Sequence, residues 1–168
     1  MSKVSIRKEK NDMTDTLKTF EDILARDGKL VYKTRGVSME PMLRQNRDLV
    51  VIEVPKGRLK RFDVALYKRK GSYVLHRVIH VRERDYLIRG DNTYYFEEVP
   101  DEAVIGVLAG FQRKGKYYDI TNKNYQRYVH FWNAVYPLRA LRFHTRRSMI
   151  RTARKWGILP ILKKIAGR

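Results

Sequence analysis

Between residues 29 and 119 short apolar runs alternate with turn signals, and this alternation constrains the chain more than any other feature. The runs are LVYKT, DLVVIEV, DVALYKR, SYVLHRVIHV, DYLIRG, AVIGVLAGFQ and KYYDI. Several are rich in β-branched or aromatic residues, which pack well on a pleated surface. Gly57, Gly71, Gly90 and Gly115, with Pro55 and Pro100, supply the turns. Short strands in such close succession predict a mostly antiparallel sheet or barrel. The plainest hairpin signal is Lys70-Gly71-Ser72.

Helical periodicity flanks this region. Residues 14–27 predict a helix, with Thr14 or Asp15 as cap, Leu17, Phe20, Ile23 and Leu24 on one stripe, and Gly28 as the stop. Beyond Tyr125 the period returns, and Tyr128, Phe131, Trp132, Val135 and Tyr136 are expected to share one face packed on the β core. Residues 138–156 predict a basic helix with Pro137 near its boundary. Gly157 and Pro160 break it, and residues 158–166 predict a last short turn or helix. The expected organisation is a disordered start and amphipathic helix over 1–28, a β core over 29–119 and a basic helical tail over 120–168.

The charge is uneven. Of 168 residues 37 are Lys or Arg and 18 are Asp or Glu, a formal net charge of +19. Asp119 is the last acidic residue, and twelve Lys or Arg follow it. That asymmetry points to an anionic partner. Arginines alternate with Leu, Phe, Met, Ile and Trp through the tail, which suits a helix lying on an anionic membrane through residues 138–168. Nucleic acid would feel the same charge, but no recognisable nucleic-acid module accompanies it, so lipid is preferred. Cysteine is absent, which excludes disulfides and thiolate chemistry. No apolar stretch reads as a secretory signal or a membrane span, so the expected location is cytoplasmic or peripheral at the membrane.

Three segments carry chemistry. In Thr34-Arg35-Gly36-Val37-Ser38-Met39-Glu40-Pro41, Gly36 permits a tight turn and Pro41 stiffens the chain beyond it. A serine hydroxyl on such a corner can face a carbonyl carbon, and its own N–H can serve as an oxyanion donor. Serine needs a base. In Tyr73-Val74-Leu75-His76-Arg77-Val78-Ile79-His80, strand alternation places Val74, His76, Val78 and His80 on one face. An imidazole near neutrality suits the role, and His80 is expected to be structural. Leu87-Ile88-Arg89-Gly90-Asp91-Asn92-Thr93 is a strand followed by a turn signal in its own right, and an Asp there, Asp91, could equally orient an imidazole.

In this order Gly36-x-Ser38-Met39-x-Pro41, Phe62-Asp63-Val64-Ala65-Leu66-Tyr67, His76-Arg77-Val78 and Gly90-Asp91-Asn92 resemble the four sequence boxes of signal peptidase I. The resemblance spans about residues 34–110, and Ile105-Gly106-Val107 fits the strand that follows the last box. It implies a coiled β-barrel core shared with LexA-like self-cleaving repressors. His rather than Lys precedes Arg77-Val78, so the chain resembles the Ser/His branch. The implied catalytic residues are Ser38 as nucleophile, His76 as base and Asp91 as support, with Gly36 and the Ser38 N–H shaping turn and oxyanion site. A second acidic residue often lies about six positions beyond that Asp; Glu97 stands there. Arg61-Phe62 replaces the glycine usual before Asp63. The implied substrate is a leader or signal-like peptide bound as an extended strand, with no cofactor and no metal. Two alternatives stay open. One is a non-catalytic peptidase-fold module whose tail binds lipid or nucleic acid. The other is a self-cleaving LexA-like regulator, disfavoured because Ala109-Gly110 and Ala166-Gly167 lie downstream of Ser38 and the stretch before Gly36 is too short for a DNA-binding domain.

Overall fold

The alternating runs form one antiparallel sheet of eight strands in the computed structural model, which describes residues 19–157. The strands are β1 Lys29–Lys33, β2 Leu49–Glu53, β3 Val64–Arg69, β4 Ser72–Val81, β5 Asp85–Arg89, β6 Glu97–Pro100, β7 Val104–Arg113 and β8 Lys116–Asp119. Their order is β1-β2-β7-β3-β4-β5-β6, with β8 also on β7. β1 and β6 end this path without pairing to each other, so the sheet of described strands does not close. The mainly β expectation holds, with a short helix before the sheet and basic helices after it.

β3 shows why its sequence reads as an unbroken apolar run. Val64 and Leu66 enter one core with Leu24, Met42, Val50 and Leu108. Ala65 and Tyr67 enter a second with Val78, Tyr86, Ile88 and Val99. Successive residues of a strand face opposite sides, so this strand is buried on both. The β3–β4 hairpin turns through Lys70 and Gly71, at φ 49° and 77°. Two positive φ values match the right-handed twist of the flanking strands. A register shift between Val78 and His80 ends the simple alternation of β4, and His80 is exposed.

Three α-helices complete the described chain. α1, Phe20–Asp27, begins with a capping box between Thr19 and Asp22, and Gly28 closes it in the left-handed region at φ 67°. Phe20, Ile23 and Leu24 reach the first core, as their spacing predicts. Thr14, Asp15 and Leu17 lie outside the described residues, as do Pro160 and residues 158–166. α2, Lys123–Ala134, packs with Tyr125, Tyr128 and Val129. The expected face is displaced: Phe131 is 63% exposed, because the inward positions run through Tyr125, Tyr128, Val129 and Trp132. The chain breaks at Val135, and α3, Tyr136–Lys155, follows with Pro137 in its first turn.

Among the described residues no helix is long and apolar enough to cross a membrane.

Candidate active site

The loop between β1 and β2 carries Ser38. Gly36 sits at φ 83°, a conformation that strains any residue with a Cβ, and its N–H donates to Gln45 Oε1 at 3.2 Å. Met39, Met42 and Leu43 bury beneath the loop, which leaves Ser38 half-buried at its surface. The Gly90-Asp91-Asn92 turn grips the same loop from the other side. Asn92 N–H donates to the Ser38 carbonyl at 2.7 Å, and Asn92 Nδ2 donates to the Val37 carbonyl at 3.2 Å.

Gly90 is required by close approach rather than by a special φ. A Cβ there would lie 2.6 Å from the Ser38 carbonyl oxygen and 3.1 Å from His76 Nε2. The Ser38 main chain and His76 Nε2 therefore both lie against Gly90. Gly90→Ala is expected to push the Ser38 loop away from the imidazole. A displacement of about 1 Å costs on the order of 10²-fold in rate. Cleavage kinetics beside a thermal melt check this, and an unchanged rate in a folded variant contradicts it.

His76 is held from its far side. Tyr67 donates its hydroxyl proton to Glu97 Oε2 at 3.0 Å, while the Tyr67 hydroxyl oxygen lies 3.1 Å from His76 Nδ1. With the hydroxyl proton committed to Glu97, Nδ1 is the donor in that second contact, so the neutral ring carries its proton on Nδ1. Nε2 keeps its lone pair and is the nitrogen beside Ser38 and Gly90. Glu97 Oε1 is 3.3 Å from Nδ1 and has no hydrogen bond among the described residues. It is the acceptor left over for an imidazolium. Arg69 pairs with Glu97 and fixes it. Burial is the largest influence on His76 and pushes its pKa below the ordinary value; Glu97 works in the opposite direction. The Tyr67 phenol is pushed upward by burial and by Glu97, so it stays protonated. Among the described residues Ser38 Oγ has no hydrogen bond to His76. Such bonds are often long in unliganded active sites.

Asp91 does not hydrogen-bond His76, contrary to the expected orienting contact. Its carboxylate takes a fork from Arg77, Nε to Oδ1 at 2.8 Å and Nη2 to Oδ2 at 2.7 Å. Arg77 follows His76 in β4 and so projects to the opposite side of the sheet, towards Met42 and Tyr125. The carboxylate that reaches Arg77 is therefore on the wrong side for the imidazole. Burial opposes the Arg77 charge, but Asp91 and Tyr125 more than offset this and raise its pKa. Asp91 still favours the charged imidazole through space.

Sequence reasoning did not find the elements that hold this turn. Trp132 Nε1 and Arg139 Nη1 each donate to the Asp91 carbonyl at 3.0 Å. Phe143 of α3 stacks on Tyr94 with ring centroids 4.2 Å apart. The C-terminal helices thus clamp the turn that seats Ser38. Phe62 occupies φ 78°, where glycine is the unstrained choice. Its carbonyl accepts from Arg77 Nη1 at 3.0 Å. Arg61 lies over the Phe62 ring and His130 meets it edge-on, packing that accompanies the unfavourable φ.

Ser38 and His76 open onto a cleft of about 910 Å³. Its walls include Tyr32 and Lys33 of β1, and Tyr73, Val74 and Leu75 of β4. β1 pairs only with β2, and β5 joins β4 only from Arg77 onward. Among the described residues, two strand edges without ladder partners therefore border the cleft. Lys33, Arg35 and Arg69, the last paired with Glu97, lie on its lining, and among the described residues no carboxylate does. Among the described residues no group of three or more His, Cys, Asp or Glu is placed to hold a metal ion. The chain matches no protein-family model and no curated protein.

Proposed function

We propose that the chain is a serine endopeptidase of the signal peptidase I type, acting on a leader or signal-like peptide. The observation that carries this reading is that the Ser38 main chain and His76 Nε2 both lie against Gly90, while Ser38 and His76 line one open cleft. On this reading the open antiparallel sheet is this chain's form of the coiled β-barrel core.

In the proposed reaction the peptide lies extended along the free edges of β1 and β4, which supply main-chain partners. Ser38 Oγ attacks the scissile carbonyl and passes its proton to His76 Nε2. The oxyanion is held by N–H donors of the serine loop, the Ser38 N–H among them. Glu97 and, through space, Asp91 stabilise the imidazolium. His76 gives the proton to the departing amine as the C–N bond breaks, and water, deprotonated by the same nitrogen, hydrolyses the acyl-enzyme. Asp91 is a positioning residue here: with Arg77 it holds the turn against the Ser38 loop. The basic lining favours peptides with acidic residues near the cut.

The test is mass spectrometry of a peptide library incubated near neutral pH with the full chain, with Ser38→Ala as control. Cuts by the wild type alone, enriched for nearby Asp or Glu and weakened by salt, support both the activity and the substrate class. Wild-type cuts without acidic enrichment remove the substrate class. No cuts by either protein favour a non-catalytic module that binds peptide in the same cleft.

A further inference from the structure

α3 has two faces. The inner face is docked: Arg139 donates to the Asp91 carbonyl, and Tyr136 and Phe143 lie against Tyr94. These contacts fix the helix's rotation about its axis and so fix what it turns outward. The outward positions Leu138, Leu141, Thr145, Met149, Thr152 and Trp156 are separated by three or four residues, so they form a single stripe. Leu138, Leu141, Met149 and Trp156 are 70%, 61%, 71% and 73% exposed. No described residue covers them. Arg142 and Arg146 flank the stripe on one side, and Arg151 and Lys155 on the other. α3 contains no acidic residue.

An occupant of this face must bring apolar surface to the centre and negative charge to both margins. We infer that the occupant is an anionic lipid surface, with the stripe sunk to the acyl boundary and the flanking cations among the headgroups. A helix with an apolar strip, basic borders and a Trp at one end meets the physical requirements of an interfacial helix. A second copy of the chain would set arginines against arginines with no carboxylate to answer them. Nucleic acid would satisfy the cations and leave the apolar stripe facing water or phosphate. The inference does not depend on the peptidase reading, and its test reads no cleavage.

The test is co-sedimentation of the full chain with vesicles of phosphatidylglycerol and phosphatidylcholine in equal parts, against pure phosphatidylcholine. The expected result is partition onto the anionic vesicles alone, with a blue shift of tryptophan emission that Trp156→Phe removes. Leu141→Asp combined with Met149→Asp, both at exposed positions, is expected to lower partition more than about 10-fold while circular dichroism stays unchanged. Undiminished vesicle binding by the folded double variant overturns the inference. Absence of vesicle binding by the wild type does so too. Tighter binding to duplex DNA than to vesicles, unaffected by the double variant, assigns the face to nucleic acid instead. A dimer in sedimentation velocity that the double variant dissolves assigns it to a second copy.

Discussion

Ser38→Ala is expected to leave no cleavage above background, whereas Glu97→Gln is expected to cleave with kcat lowered by about 10²–10⁴-fold. On the proposed reading the serine supplies the bond-forming atom, so its loss removes the reaction path. On the same reading Glu97 acts through the imidazole, by fixing the Nδ1–H tautomer and stabilising the charge that forms on the ring. The two variants also separate by pH. Burial lowers the His76 pKa and Glu97 partly restores it. Activity requires the neutral ring, so it is lost as pH falls through the folded-state pKa, below the ordinary value of about 6.5. Removing the Glu97 charge lowers that pKa further and moves the acid limb to lower pH. Asp91→Asn moves the limb in the same direction by less. Rates in Glu97→Gln equal to wild type, or a limb displaced upward, would remove Glu97 from the mechanism.

The largest stability effect belongs to the neighbouring pair. Arg77 is wholly buried and its guanidinium meets Asp91, the Phe62 carbonyl, Tyr125 and Met42. Arg77→Ala leaves the Asp91 carboxylate buried without its fork, and breaking such a pair from one side costs about 3–5 kcal/mol. Urea unfolding checks this, with a large fall in midpoint at similar slope as the expected result. Replacing both partners together by apolar residues of similar volume is expected to cost less, because neither charge is stranded. A single-variant loss under about 1 kcal/mol would mean that water reaches the pair. The destabilised variant is also expected to cleave poorly, since the Asp91 turn seats the serine loop.

Much of this arrangement was legible in the sequence. Alternation and turn chemistry located the strands, Lys70-Gly71 located a hairpin, and Gly36 marked a tight turn; each is a local consequence of sterics. Ser38, His76 and the Gly90 turn were legible as a set, and the Ser38 main chain and His76 Nε2 lie beside Gly90. Two things were not legible. The partner of Asp91 depends on which face of β4 it approaches, and only the fold shows that it comes from the Arg77 side. The hold of Glu97 on His76 runs through Tyr67, on another strand, and no spacing in the chain announces a three-residue hydrogen-bond chain across β3, β4 and β6. The displaced face of α2 has a similar cause. Its period was read correctly, but its rotation is set by the docking of Tyr125 and Trp132.

Trp132 and Arg139 converge on a single carbonyl oxygen, that of Asp91. A surface turn ordinarily opens at the small free energy of its own few hydrogen bonds. This one cannot swing out without also releasing the junction of two helices. Its amide protons should then exchange with solvent at the pace of those helices, as members of the same cooperative unit. The coupling also runs in reverse: a pull or a twist applied to α3 is delivered, through one oxygen atom, to the turn on which the serine loop rests.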